Sequence, residues 1–437
     1  MPSFIIREKI NMKNLRYLVN SRLLEEWDKK EYNRFQENEK KLKKGIEIPM
    51  HEQKIYYILS KLKEYERNIL GADDFIDIEY YLDEGEYGRY KIRIIKTDIG
   101  FGATNMFGEI RNLLFSDNYI DLDIRCAHPC VIYNLCIMYN IECIKLKNYI
   151  VNRDAILQEI VKQNPKGKYK GKLSSNGMEN GVAKEFITGI FYNGNIDNLM
   201  KDYNLFVLPD SIKELHEELK NIMFQIINLP EYKHISDFAK QRMQEKNKTY
   251  NEAGSIFAII IQDIERQIYD MLSKLIKKSG FELGAYIYDG THIKKTKVLT
   301  NIKKKYWSQE ITKYFNVPSE KKNKIITLEL VEKEMKCNKD FLKVNTETAI
   351  YFKEFERIED EYKIAEVYEP SCFLTYDPNS QKIIPVPDIT KKIMYISKNK
   401  DVLKRWLNDK YRKQYLGIVF NPDPLYNDKH FLILLQG

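Results

Sequence analysis

No run of about twenty apolar residues occurs anywhere in this 437-residue chain, which removes a hydrophobic membrane-spanning helix from expectation. The opening Met-Pro-Ser-Phe-Ile-Ile-Arg-Glu-Lys becomes charged too early for a secretory signal peptide. Cysteine is sparse, six residues with no Cys-x-x-Cys pair, a pattern that fits a reducing compartment rather than a disulfide framework. No Walker A loop is present: the Gly-Lys-rich run from Asn164 to Lys172 lacks both its spacing and its strand context. No repeat of solenoid period is found either. These absences leave a soluble, intracellular, folded protein as the expectation.

What is there fits that class. Hydrophobic residues make up 43% of a chain long enough for about two or three domains, each with its own core. Seventy-one Lys and Arg face 63 Asp and Glu, a formal charge of +8. That excess permits a polyanionic partner without requiring one. Cys126, His128, Cys130, Cys136 and Cys143 crowd together, but their spacing suits a closed tetrahedral zinc site poorly. Cys136 also falls on an apolar helical face, where a thiol packs as a small hydrophobe. The abundance of Lys, Asn, Ile and Tyr fits an AT-rich coding genome.

Residues 1–84 read as a helical N-terminal region, with Ile55, Ile58, Leu59, Leu62 and Ile69 at helical spacing. Tyr87 to Ile95 alternates like a strand whose polar side carries Arg89, Lys91 and Arg93, and a helix with Ile110, Arg111 and Leu114 follows. Helices are expected over Val182–Phe191, two or three more over 210–280, and one near Ile302–Phe315, with a strand at Ile325–Leu330. Beyond about residue 340, short alternating segments are separated by Pro370, Pro378, Pro385, Pro387, Pro422 and Pro424, with one helical patch over Val402–Leu407. This reads as a separate module, 336–437.

Two stretches carry chemistry. In Tyr119–Pro129, Ile120, Leu122 and Ile124 alternate with Asp121, Asp123 and Arg125 as in a half-buried strand, and Pro129 suits the first turn of a helix. In Phe281–Thr296, Asp289-Gly290 is a strong hairpin signal between two strand-like runs, which puts Asp289 at the tip. A turn aspartate is most often only a turn former. Nucleotidyl transfer by two metals, however, needs two carboxylates on adjacent strands and a cation for the triphosphate. Lys184 on the intervening helix can be that cation, with Thr188 and Tyr192 one and two turns on.

In order and spacing these stretches resemble the motifs of family A DNA polymerases and single-subunit phage RNA polymerases. Asp123 is followed five residues later by His128 where the family has Glu; Lys184, Thr188 and Tyr192 keep the second motif's spacing, with Asn180 where its Arg would be. Tyr288-Asp289 matches the third motif's His-Asp. Asp121 to Pro129, Tyr288 to Gly290, and Tyr87-Gly88-Arg89 followed by Ile110-Arg111 look like the branch called transposon and virus polymerases. In that branch a polymerase is joined to a superfamily 3 helicase. Trp406 to Asp409, Tyr411-Arg412 and Ile418 to Pro424 look like its connector, so the helicase is expected beyond Gly437.

The resemblance implies an α+β, right-hand polymerase-like fold. Residues 1–84 would be a thumb-like helical region, 85–335 the palm with an antiparallel sheet plus fingers, and 336–437 the connector. It implies a template-dependent DNA polymerase, with primase activity left open, replicating a viral or virophage-like mobile genome in the host cytoplasm or a viral factory. Asp123 and Asp289 would hold Mg²⁺ or Mn²⁺, with the Ile124 carbonyl as a third ligand and Asp121 as an auxiliary one. Lys184 would meet the triphosphate. His128, with Tyr192, would floor the sugar of a dNTP or rNTP, while Arg89, Arg111, Lys168, Lys170 and Lys172 would hold phosphates of template and primer. The rival is a catalytically inactive nucleic-acid-binding module serving the helicase. A two-metal nuclease would want more clustered carboxylates.

Overall fold

The computed structural model describes residues 3–43, 58–69, 74–83, 85–95, 97, 99–167, 180–245, 247–350, 352–353 and 356, with four short strand segments between 376 and 435. In chain order the elements are β1 (Ser3–Lys9), α1 (Met12–Leu18), α2 (Arg22–Lys43), α3 (Ile58–Arg67), β2 (Phe75–Tyr81), β3 (Lys91–Ile94), α4 (Gly108–Phe115) and β4 (Tyr119–Ile124). Then come α5 (Ala127–Tyr139), α6 (Ile144–Gln163), α7 (Asn180–Phe191), α8 (Ile196–Asp202), α9 (Asp210–Ile227), α10 (Lys233–Glu245) and α11 (Glu252–Lys278). A hairpin of β5 (Leu283–Ile287) and β6 (Gly290–Lys294), α12 (Asn301–Thr312) and β7 (Leu330–Lys333) follow. Helices and antiparallel sheets make this an α+β protein.

The chain divides into two compact units. Met1–Ile6, Ile78–Asn105 and Tyr119–Glu334 form the first; Arg7–Asp77, Met106–Asn118 and Met335–Gly437 form the second. In the second, Asn11 caps α1 by accepting the Asn14 backbone N–H, and the Asp28 carboxylate accepts the Ile58 and Leu59 N–H groups at the start of α3 at 3.0 and 3.2 Å. Trp27 meets Phe107 edge-on, and Tyr17 packs on Phe352.

The first unit is built on a four-stranded antiparallel sheet of order β5-β6-β4-β7. Helix α11 carries its core stripe: Ile256, Ile260, Ile264, Ile268 and Leu272 recur at helical spacing and are all buried, as the sequence predicts. Gly280, at φ +75°, lies just past its end in the left-handed conformation that favours glycine. Helix α7 ends at Phe191, and Asn193 rather than Gly194 takes the left-handed turn.

Several expectations need correcting. The N-terminal region is not all helix: β1 and β2 lie in it, and β2 reads Phe-Ile-Asp-Ile-Glu-Tyr-Tyr with Ile76, Ile78 and Tyr80 buried in strict alternation. The strand expected over Tyr87–Ile95 is only β3, because Tyr87 to Tyr90 turns to dock on α11. The strand expected at Ile325–Leu330 begins only at Leu330, since Ser319–Lys324 winds as a 3₁₀ turn and side chains hold the stretch between, Asn134 accepting the Ile326 N–H and Thr312 the Leu328 N–H. Strand β4 is buried on both faces rather than one, because sheet neighbours and helices enclose it. Lys168, Lys170, Lys172 and the patch Val402–Leu407 lie outside the described residues.

Candidate active site

Strand β4 delivers Asp121 and Asp123 to one face two residues apart, and the β5–β6 hairpin delivers Asp289 beside them. Asp123 pairs with Gly290 on one side and Val331 on the other. The Ile124 N–H donates to the Asp289 carbonyl at 3.3 Å, which closes the hairpin tip onto the end of β4. Across more than a hundred and sixty positions of sequence Asp289 is brought close enough to Asp123 for its charge to raise the Asp123 pKa.

The hairpin works differently from its sequence signal. Its two-residue loop is Tyr288-Asp289, Gly290 already pairs with Ile287, and the positive φ, +53°, belongs to Tyr288. Gly290 is glycine for another reason. A Cβ there would stand 2.3 Å from the Leu122 carbonyl oxygen and 3.0 Å from the Asp123 Cα. Only a residue without a side chain lets the two acid-bearing strands approach this closely.

Burial first, and then the charge of Asp289, push the Asp123 carboxyl up to about 7. A buried carboxyl beside a second acid calls for a counter-cation. Lys333, on β7, supplies one by pairing with Asp123, although its register partner is Asp121. Burial alone would lower the Lys333 pKa, but the charges of Asp123, Asp289 and Asp121 hold it above its ordinary value.

Behind the acids lies a second polar cluster. His128, in the first turn of α5, shares its Nε2 with Glu265 Oε2 at 2.6 Å and its Nδ1 with the Tyr192 hydroxyl at 2.7 Å. Arg89 donates to both oxygens of Glu265 at 3.0 and 2.9 Å and stacks over the Tyr288 ring at 4.2 Å. Burial opposes the Arg89 charge, yet Glu265 raises its pKa above the ordinary value. The Tyr192 phenol is pushed up by burial and then by Glu265. Gly88, at φ +97°, aims Arg89 by donating its N–H to Asp263 on α11 at 3.1 Å.

Lys184 and Thr188 share the exposed face of α7, and the Thr188 hydroxyl donates to the Lys184 carbonyl. Lys184 has no ion pair among the described residues. Its charge is felt at Cys126, alongside those of Arg153 and Arg125, which places it near the end of β4. Arg125 and Arg153 both reach the Asp154 carboxylate, at 3.8 and 3.2 Å. Lys91 and Arg93 are balanced by acids: Lys91 pairs with Asp83 and Glu86, and Arg93 with Glu79. Arg111 is half-buried on α4 in the second unit.

The structure thus brings Asp121, Asp123, Ile124 and Asp289 together and gathers His128, Tyr192 and Arg89 behind them. Sequence reasoning missed Lys333 and the hub role of Glu265. Among the described residues no group of three or more His, Cys, Asp or Glu side chains is arranged to hold a metal ion. The donor set instead offers two neighbouring carboxylates with Asp121 on the same strand face, a pair whose mutual repulsion a divalent cation would relieve. No helix among the described residues is long and apolar enough to cross a membrane. No protein-family model matches the chain and no curated protein matches it.

Proposed function

We propose that this chain is a template-dependent nucleotidyltransferase, a DNA polymerase or primase of the transposon and virus polymerase kind. The closeness of Asp123 and Asp289 across the end of the sheet carries the reading. In it, the sheet of β4 to β7 is a polymerase palm, α7 belongs to the fingers, and the helical residues before β2 are thumb-like. Asp123 and Asp289 would hold Mg²⁺ or Mn²⁺, with Asp121 and the Ile124 carbonyl at hand. When bound, the metal would supply activation of a 3′-hydroxyl and neutralisation of departing pyrophosphate.

The chain's own residues have separate tasks. Lys184, exposed and with no ion pair among the described residues, meets triphosphate charge near the end of β4. His128 and Tyr192 shape the sugar position. Template and primer DNA, dNTPs with rNTPs as competitors, and a superfamily 3 helicase are the partners this reading implies.

Primer extension on a defined template in Mg²⁺ tests it. Asp123→Asn and Asp289→Asn should each abolish incorporation while the circular dichroism spectrum and cooperative melting persist. Substantial incorporation by either variant would refute the assignment, and reactions without primer separate extension from de novo priming.

A further inference from the structure

We infer that Glu265 is a specificity-setting residue of this site: from behind, it fixes the tautomer of His128 and, through it, the orientation of the Tyr192 hydroxyl. The inference rests on the polymerase reading for its consequence, the choice between ribose and deoxyribose, though not for its geometry.

Both ring nitrogens of His128 are engaged, and the chemistry of their partners assigns them. Nε2 lies 2.6 Å from the Glu265 carboxylate, which can only accept, and 3.4 Å from Arg89 Nη2, which can only donate; the much shorter contact puts the proton on Nε2. In a neutral ring Nδ1 is then a bare acceptor, and the Tyr192 hydroxyl at 2.7 Å must donate to it. That hydroxyl is thereby turned onto the imidazole, and a ligand beside the pair meets fixed ring edges rather than a rotating donor.

Glu265 can impose this because it is itself immobile. Its side chain is 2% exposed, it sits on the core helix α11, and Arg89 binds it through two parallel hydrogen bonds. The same Arg89 stacks on Tyr288, the residue before Asp289. One buried carboxylate therefore ties the His128–Tyr192 pair to the hairpin that carries an acid of the reaction centre. Removing it would free the imidazole to exchange tautomers and leave Arg89 without its partner.

The test measures the ratio of dNTP to rNTP incorporation efficiency in wild type, Glu265→Ala, His128→Ala and the double variant. Glu265→Ala should shift the ratio roughly tenfold or more, the scale of one lost charged hydrogen bond, and should add nothing in the His128→Ala background. Glu265→Gln keeps an acceptor carbonyl and should restore most of the wild-type ratio. An unchanged ratio in Glu265→Ala, or effects that multiply in the double variant, would overturn the inference. A second readout needs no activity: ¹⁵N spectra of histidine-labelled protein, with six histidines in the chain and His128→Ala for assignment. Wild type should show His128 protonated at Nε2 alone, and Glu265→Ala a mixture. If wild type incorporates neither nucleotide, the polymerase reading fails while the spectra still judge the relay; a mixed tautomer in wild type sinks it.

Discussion

Lys333 and Asp123 meet diagonally across the β4–β7 pairing: Lys333 stands opposite Asp121 in register, yet its ammonium rests on the Asp123 carboxylate. The contact gives the buried Asp123, beside the half-buried Asp289, a cation from the protein itself. A divalent ion arriving at the same carboxylates must compete with that ammonium.

Replacing Lys333 by Met should therefore tighten Mn²⁺ binding, read as loss of the free-ion signal in electron paramagnetic resonance titrations. Without metal the same variant should be less stable at pH 8 by about 1 kcal/mol, since the lysine side chain is 47% exposed and solvent screens much of the pair's attraction. Weaker Mn²⁺ binding than wild type would mean that the ammonium assists the ion rather than opposing it.

The raised carboxyl of Asp123 sets a pH dependence. Its pKa moves from 3.8 to about 7 on folding, so the folded state binds the proton more tightly than the unfolded chain does. The stability it contributes is complete below pH 4 and is lost as pH rises towards 7. In thermal melts of metal-free protein the difference between wild type and Asp123→Asn should change across that window. Saturating Mg²⁺ should flatten it by replacing the proton. A constant difference from pH 4 to pH 8 would contradict the shared-corner electrostatics.

Gly290→Ala should be costly without touching any charged group. The added methyl would stand 2.3 Å from the Leu122 carbonyl oxygen, a backbone atom that cannot swing aside, so the hairpin must move away from β4. A loss on the order of 3 kcal/mol is expected from such overpacking, measured as a fall in the urea midpoint. Separation of Asp289 from Asp123 should lower the Asp123 pKa at the same time. An alanine variant as stable as wild type would show that the strands are not closed as described.

Local signals carried the elements, and long-range pairing carried most of what the sequence left hidden. The apolar stripe of α11 and the position of Asp289 at a hairpin tip were legible because both depend on neighbours a few residues away. Gly290 was legible as glycine but not in its purpose, since the Leu122 carbonyl that demands it lies far off in sequence. Lys333 looked like one lysine among many until the register of β7 placed it. Glu265 lies on the buried side of α11. Its partners, Arg89 and His128, are 176 and 137 positions away, and no periodicity connects them. β2 was legible in principle from its period of two, which the helical character of its surroundings obscured.

The last strand of the sheet has a consequence of its own. Residues along β7 alternate between faces, so sliding it by a single residue against β4 would carry the Lys333 ammonium to the far side and strip the acids of their native counter-charge. Alignment along one sheet border is thus an electrical setting for the whole centre, and whatever tugs on that border writes directly to it.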